Sequence, residues 1–136
     1  MTIPELGALV RAIPDFPKPG ILFRDITPLL ASPTALAATI DALAERIGGL
    51  GATRVVGIES RGFLVGTPVA IKLGLGFAPV RKPGKLPWKK RALSYALEYG
   101  SDTLELHEDA VAGERVVILD DLLATGGTAR AAADLV

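Results

Sequence analysis

The sequence has no cysteine, only 5% aromatic residues and no excess of either charge. The absence of cysteine excludes disulfide bonds and thiolate metal sites, and it suits a protein of the reducing cytoplasm. Fifteen basic residues balance fifteen acidic ones, so no overall field favours nucleic acid or an anionic membrane. Because 49% of the 136 residues are apolar, we expect one domain with a substantial core.

Long uninterrupted apolar runs are also scarce. One window, residues 62–80, is apolar enough to suggest a membrane span, but it contains Lys72 near its middle, two prolines and four glycines. A lysine at the centre of a membrane helix costs about 2.5–3.5 kcal/mol on insertion scales. We therefore expect a buried helix followed by a strand here, and neither a membrane nor a nucleic acid as a partner.

Two helices are predicted in the N-terminal part of the chain. A capping-box pattern begins at Thr2, and apolar residues continue at helical spacing to Ile13. Ser32 and Pro33 have the residue types of a helix N-cap and first turn. The apolar positions that follow them favour one helix face, which Gly48 and its neighbouring glycine should end.

The rest of the chain alternates strands with helices. Arg54–Ile58 and Arg115–Leu119 are predicted to be short, fully buried strands, and residues 77–80 a third strand. A helix over residues 63–73 lies between the first and third of these, and another helix begins at Thr128. Strand, helix and strand joined by short links indicate a right-handed βαβ unit, and hence an α/β fold with an open parallel sheet and flanking helices.

A hairpin and a basic segment complete the predicted organisation. The alternating stretches 93–99 and 103–107 suggest two paired strands outside the parallel sheet, separated by Gly100 and Ser101. Before them, residues 81–91 contain six basic residues and no acidic one. This basic segment is either a solvated surface loop or a flexible flap over an anionic ligand, and the sequence leaves both interpretations open.

The stretch VVILDDLLATGGT, residues 116–128, carries the strongest chemical pattern. Ligands of parallel sheets bind beyond the carboxyl ends of the strands, which is where Asp120 and Asp121 lie. Consecutive glycines and the start of a helix offer backbone N–H groups to a phosphate. Carboxylates repel a phosphate but accept hydrogen bonds from sugar hydroxyls. The stretch therefore predicts a ribose 5-phosphate site, with the sugar at the acids and the phosphate in the glycine loop.

Two other kinds of motif share parts of this stretch. An apolar strand ending in two acids is typical of a Walker B strand, but the G-x-x-x-x-G-K-[ST] partner is absent from the sequence. The glycine pair alone is typical of an ordinary turn. The combination of strand, paired acids, spacer and T-G-G-T is more specific than either part.

Four motifs, in order along the chain, resemble the adenine phosphoribosyltransferase branch of the type I phosphoribosyltransferase family. They are GILFRDITPLL (20–30), GIESRGFLVG (57–66), RKPGKLP with LEYG (81–87 and 97–100), and VVILDDLLATGGT (116–128). The last resembles the family's motif for phosphoribosyl pyrophosphate (PRPP). The resemblance implies one phosphoribosyltransferase domain over 1–136, with an N-terminal adenine-pocket segment at 1–30 and a flap and hairpin at 81–107. The family pattern continues beyond Val136, so the resemblance also implies that C-terminal strands are missing.

The resemblance assigns roles to individual residues. For the ribose and phosphate of PRPP it implies Asp120, Asp121, Ala124, Thr125, Gly126, Gly127 and Thr128. For pyrophosphate it implies Glu59, Ser60, Arg61, Arg81 and Lys85, in a loop that often contains a cis non-proline peptide bond in the family. For adenine it implies Leu22, Phe23 and Arg24. As catalytic residues it implies Glu98, Tyr99, Asp120 and Asp121.

The implied reaction is a step of purine salvage: adenine and PRPP give AMP and pyrophosphate. The expected cofactor is Mg²⁺, held mainly through PRPP with no direct protein ligand, and the expected assembly is a homodimer. A phosphoribosyltransferase for hypoxanthine or xanthine is the first alternative, and a non-catalytic PRPP or nucleotide sensor on the same fold is the second. His107, the single histidine, receives no role.

Overall fold

The computed structural model describes residues 1–97, 100–123 and 126–136, which form two compact units, Met1–Leu43 and Ala44–Val136. In the part of the chain so described, no helix is both long and apolar enough to cross a membrane.

The first unit contains two short helices and a two-stranded antiparallel pair. In chain order these are α1 (Ile3–Gly7), β1 (Arg11–Ile13), β2 (Phe23–Asp25) and α2 (Thr27–Ala31), followed by the start of α3 (Pro33–Gly48). Its small core consists of Leu6, Leu29 and Ala35.

The prediction of one helix from Thr2 to Ile13 is wrong beyond Gly7. The capping box is present, since Thr2 Oγ1 accepts from the Glu5 N–H and the Glu5 carboxylate accepts from the Thr2 N–H. The helix nevertheless ends at Gly7, and Ile13 pairs with Phe23 in the β1–β2 ladder. Strand pairing supplies the backbone hydrogen bonds here, and such tertiary partners override a helical spacing pattern.

The α3 helix has the ends that the sequence predicts. Pro33 is its first residue, and Ser32 Oγ accepts a hydrogen bond from the Ala35 N–H at 3.3 Å, as an N-cap should. The helix ends at Gly48, the first of the two glycines.

The second unit is built on the predicted parallel sheet. Its strands are β3 (Arg54–Ile58), β4 (Gly76–Val80) and β7 (Val116–Leu119), in the order β4-β3-β7, with β3 parallel to both neighbours. The central strand is buried from Val55 to Ile58, whereas every residue of β7 is only half-buried. The prediction of a fully buried strand therefore holds for β3 and is wrong for β7, which lies at the edge of the described sheet.

Helix α4 (Arg61–Leu73) covers one face of this sheet. The Phe77 ring packs against Gly57 and Gly66, since a Cβ added to either glycine would lie 2.7–2.8 Å from it. Only glycine fits at these two positions. A Phe63–Phe77 edge-to-face contact, with ring centroids 5.8 Å apart, joins helix and strand.

The opposite face of the sheet is covered by a helix and a hairpin. Helix α5 (Gly127–Leu135) and the antiparallel strands β5 (Lys90–Leu97) and β6 (Gly100–His107) pack over β3 and β4. The shared core contains Val56, Ile58, Ala78, Val80, Leu104, Leu106, Ala131 and Ala132. The hairpin is thus confirmed, although Gly100 and Ser101 belong to β6 rather than to the link before it.

Candidate active site

The loops after β3 and β7 meet at one edge of the sheet. Gly57 pairs with Leu119 near the carboxyl ends of these neighbouring strands. Beyond that pair, Arg61 Nε lies 3.0 Å from Asp121 Oδ2. The structure therefore brings the predicted pyrophosphate arginine directly to one of the two predicted ribose acids.

Close approach of the two loops depends on Gly62. A Cβ at this position would lie 2.7 Å from the Leu119 carbonyl oxygen and 3.4 Å from Asp120 Oδ1. The first of these distances is shorter than any real Cβ contact, so a larger residue would separate the loops. In the same loop, the Glu59–Ser60 peptide bond is cis, which confirms the cis bond that the resemblance implies.

The two acids have different electrostatic surroundings. Burial raises the pKa of Asp120 to about 6, and the charge of Asp121 adds to this rise while Arg61 and the Asp121 N–H oppose it. Asp120 Oδ1 accepts that N–H at 2.9 Å. Asp121, by contrast, has the Arg61 guanidinium as its charge partner. Near neutral pH, Asp120 consequently holds its negative charge less readily than an ordinary aspartate does.

The Glu59 carboxylate binds the first residues of the basic segment. Its side chain is only 9% exposed, and its two oxygens accept from the Lys82 N–H and from Lys85 Nζ, each at 2.5 Å, with Arg81 Nε at 3.5 Å. Burial opposes ionisation, but these donors outweigh it and lower the pKa of the Glu59 carboxyl. The Glu59 N–H donates to the Val80 carbonyl at 2.9 Å. Glu59 therefore contacts Arg81 and Lys85, two of the cations predicted to bind pyrophosphate.

A second buried carboxylate holds the same segment further along. Glu105 is 7% exposed, accepts from the Gly84 N–H at 2.9 Å and lies 3.8 Å from Lys90 Nζ. Its backbone forms a bridge with Arg81, whose guanidinium stacks 5.8 Å from the centre of the Phe63 ring. The beginning of the basic segment is thus anchored at several points, unlike a freely solvated loop.

The predicted phosphate cradle, residues 124–128, contains a left-handed glycine. Gly126 has φ of +86°, a conformation that side chains rarely adopt, and its carbonyl accepts from the Arg130 N–H at 2.8 Å in the first turn of α5. Thr128 lies in the same turn, and its Oγ1 is 3.2 Å from the Tyr95 hydroxyl. Ala124 and Thr125 lie outside the described residues.

Comparison with known proteins agrees with this geometry. The model of the phosphoribosyl transferase domain matches residues 25–136. An adenine phosphoribosyltransferase of Gloeobacter violaceus is 64% identical over 97% of this chain and 78% of its own length. The chain belongs to the adenine phosphoribosyltransferase family. This confirms the predicted family and fold class.

Solved structures of the adenine phosphoribosyltransferase family share the fold. The enzyme of Thermoanaerobacter pseudethanolicus has a TM-score of 0.95 and 52% identity, over 98% of this chain and 78% of that one. The enzyme of Saccharomyces cerevisiae, solved with adenine and an imino-altritol bisphosphate, has a TM-score of 0.92 and 43% identity, over 97% of this chain and 78% of that one.

The segment that resembles the family's adenine pocket lies in the first unit. Phe23 is half-buried in β2, with the Phe16 ring edge-on at 5.1 Å between centroids. Leu22 is 49% exposed, and Arg24, which pairs with Ala12, is also exposed. Phe16 was not among the predicted site residues. Its nearness arises from the turn between β1 and β2, which periodicity in the sequence does not reveal.

The two predicted flap residues, Glu98 and Tyr99, lie outside the described residues, and their roles stay predictions. Sequence reasoning missed the hairpin residues Tyr95 and Asp102, which contact Thr128 and Lys82. The strand alternation offered a signal, because it places Tyr95 on the inward side of β5, where a partly buried tyrosine hydroxyl needs a partner.

Proposed function

We propose that this chain transfers the phosphoribosyl group of PRPP to adenine, forming AMP and releasing pyrophosphate, as a step of purine salvage. The observation that carries the proposal is the junction of the β3 and β7 loops, where Arg61 meets Asp121. It supports binding of a sugar and of a pyrophosphate next to each other, as PRPP requires. The named activity of close family members supports the choice of adenine.

At this junction, Asp120 and Asp121 accept hydrogen bonds from the ribose hydroxyls. The N-terminal turn of α5, with Gly126, Gly127, Thr128 and the preceding Ala124 and Thr125, binds the 5-phosphate through N–H and hydroxyl donors. The Arg61 fork, together with the Ser60–Arg61 backbone, binds pyrophosphate oxygens in two-point contact. Because Arg61 pairs with Asp121 in the present structure, pyrophosphate binding exchanges one anionic partner for another.

Arg81 and Lys85 supply further positive charge for the leaving group. Glu59 holds both of them in the present structure, so we assign it the role of arranging these cations rather than of contacting pyrophosphate with its side chain. The bond from ribose C1 to pyrophosphate breaks as the bond from C1 to adenine N9 forms. Orientation and charge stabilisation then account for most of the catalysis.

The proposed proton transfer involves the flap. The Glu98 carboxylate is suited to accept the proton of adenine N7–H while N9 forms the glycosidic bond, and Tyr99 is its neighbour in the same motif. Phe23 stacks on the purine, and the backbone of Leu22 and Arg24 reads its N1 and amino edge. Hypoxanthine presents the opposite donor and acceptor pattern, which would leave buried groups unpaired.

Asp120 and Asp121 offer carboxylate oxygens, the donor type that Mg²⁺ prefers, and we propose that PRPP supplies most of the ion's ligands. Among the described residues, no three aspartate, glutamate, histidine or cysteine side chains are grouped to hold a metal ion. Mg²⁺ commonly keeps water and substrate phosphates as ligands and takes few from the protein. When bound with PRPP, Mg²⁺ would supply positive charge for the leaving group, and Asp120 and Asp121 orient the ribose.

We further propose a single catalytic domain, a homodimer and a cytoplasmic location. The cysteine-free composition supports a reducing compartment. Leu64 and Ile71, two apolar residues on the same face of α4, are 49% and 75% exposed, which supports burial by a second copy. Light scattering coupled to gel filtration measures the assembly.

The experiment for the proposed function is a base panel. Purified protein is incubated with PRPP, Mg²⁺ and either adenine, hypoxanthine or xanthine, and the nucleotide formed is quantified. We expect kcat/KM for adenine to exceed that for the other bases by at least about 10³-fold, since a mismatched edge leaves buried polar groups unpaired. Preference for another base would assign the chain to that substrate, and no nucleotide with any base would support the non-catalytic alternative.

A further inference from the structure

The Tyr95 hydroxyl lies between the proposed phosphate cradle and the half-buried Lys82–Asp102 ion pair. It lies 3.2 Å from Thr128 Oγ1 and 3.4 Å from Asp102 Oδ2. Asp102 is also bound by Lys82 Nζ, and its Oδ1 accepts the Thr103 N–H at 2.9 Å. A continuous chain of polar contacts therefore runs from the first turn of α5 through the hairpin to the basic segment.

The direction of the protons in this chain follows from the charge of Asp102. Burial opposes its ionisation, but the hydrogen bonds from Lys82, Thr103 and Tyr95 outweigh burial and lower the pKa of its carboxyl. An ionised carboxylate only accepts hydrogen bonds. Tyr95 consequently donates its single proton to Asp102, and its oxygen is left to accept the proton of the Thr128 hydroxyl.

In that arrangement the Thr128 proton points away from the cradle. A phosphate in the cradle needs a donor, so Thr128 must turn its proton toward the phosphate. Tyr95 can then turn its own proton from Asp102 to Thr128 Oγ1, while Lys82 and the Thr103 N–H continue to satisfy Asp102. Each group stays hydrogen-bonded in both arrangements, and no covalent bond changes.

We propose that Tyr95 is a positioning residue for the 5-phosphate, whose hydroxyl reverses its hydrogen bond so that Thr128 becomes a phosphate donor. The inference rests on the proposed function, which places the phosphate in this cradle. The role in PRPP binding falls on Tyr95 of β5, which lies outside the four motifs that resemble the family.

The test measures ribose 5-phosphate binding by calorimetry and AMP formation by steady-state kinetics in Tyr95→Phe. Loss of one hydrogen bond to the phosphate-binding hydroxyl should raise the Kd of ribose 5-phosphate and the KM for PRPP about three- to tenfold. The value of kcat and the KM for adenine should stay within about twofold, because the phosphate contact is the same in the ground and transition states. Wild-type affinity in Tyr95→Phe would overturn the proposal.

Ser94→Ala is the matched control. Ser94 is the exposed neighbour of Tyr95 on the same strand, and its Oγ pairs with Thr103 Oγ1 at 2.8 Å on the outer face of the hairpin. Like Tyr95→Phe, the Ser94→Ala variant removes one hydroxyl from the hairpin, but this hydroxyl does not contact the phosphate cradle. We expect wild-type Kd and KM values. A weakening equal to that of Tyr95→Phe would assign the effect to general loosening of the hairpin and overturn the proposal.

Two more variants separate positioning from mere structural support. In a Thr128→Val background, Tyr95→Phe should cause no additional loss of affinity, because valine lacks the hydroxyl to which Tyr95 donates. Additive losses would contradict the proposal. Asp102→Asn can donate to Tyr95 and favours the orientation toward Thr128, so its affinity should match or exceed that of the wild type. A loss as large as that of Tyr95→Phe would contradict the proposed proton direction.

The experiments distinguish a failure of the Tyr95 positioning role from a failure of the proposed transferase function. If the wild-type protein binds ribose 5-phosphate and Tyr95→Phe weakens it, but no AMP forms, the positioning role stands and the transferase function falls. If AMP forms while Tyr95→Phe behaves as wild type, the reverse holds.

Discussion

Replacement of Asp120 by asparagine should stabilise the fold near neutral pH while lowering activity. The pKa of Asp120 is raised from 3.8 to about 6, chiefly because the carboxyl is buried. A carboxyl with a raised pKa contributes stability that is complete below about pH 3.8, its unfolded-state value, and is lost as the pH rises through 6. At pH 7.5 the ionised Asp120 is therefore an unfavourable charge, whereas asparagine is neutral and can still accept the Asp121 N–H.

The size of the effect follows from the shift. About two pKa units at 1.36 kcal/mol each give an upper value of about 3 kcal/mol. Because Asp120 retains partial contact with solvent, screening reduces this to about 1–2 kcal/mol. For a chain of this length, that corresponds to a rise in Tm of roughly 3–8 °C at pH 7.5. The difference from wild type should shrink as the pH is lowered to 5, because the wild-type carboxyl then takes up its proton.

Asp121→Asn is the matched control for the thermal melts. The Asp121 side chain is only 6% exposed and faces Arg61, so its loss removes an ion-pair partner and should leave Tm unchanged or lower. Both variants should lose turnover, on the order of 10²-fold if the acids act mainly in the transition state. A lower Tm for Asp120→Asn at pH 7.5, or an equal gain at pH 5 and 7.5, would refute this electrostatic account.

Three further predictions test other parts of the site. Gly62→Ala should destabilise the fold by about 1–3 kcal/mol and impair PRPP binding, because its Cβ would meet the Leu119 carbonyl at 2.7 Å. Gly49→Ala should do neither, because the space around its Cβ is open, and equal denaturation midpoints for the two variants would contradict this prediction. Arg81→Ala and Lys85→Ala should raise the KM for PRPP more than Lys89→Ala does, and identical values would indicate diffuse electrostatic attraction instead of specific contacts. Phe23→Ala should raise the KM for adenine at least tenfold with little change in that for PRPP, and an unchanged adenine KM would remove Phe23 from the pocket.

Elements specified by local pattern could be predicted from the sequence. The bounds of β3 match residue for residue, because an apolar run between a turn and a polar loop has few other ways to bury itself. The ends of α3 follow equally directly from Ser32 and Gly48. The first helix was predicted to be too long, because β1 forms only through its pairing with β2, a contact that is not local in sequence.

In the candidate site, too, the local motif could be predicted from the sequence, whereas the contacts between distant residues could not. Asp120, Asp121 and the glycine loop form a contiguous motif, and their position at the end of a strand could be predicted. The Arg61–Asp121 contact joins residues 60 positions apart and requires the parallel β3–β7 register. The anchoring of the basic segment by Glu59 and Glu105 was missed, since an acidic residue carries no sequence mark that distinguishes a buried ion pair from a solvated charge.

The measurement that tests the central claim most directly is product formation at the β3–β7 junction. Wild-type protein with adenine, PRPP and Mg²⁺ should form AMP and pyrophosphate in equal amounts, and the folded double variant Asp120→Asn/Asp121→Asn should form almost none. Failure of the wild-type protein to form AMP, or undiminished AMP formation by the double variant, would contradict the claim that these two loops hold the ribose and pyrophosphate of PRPP.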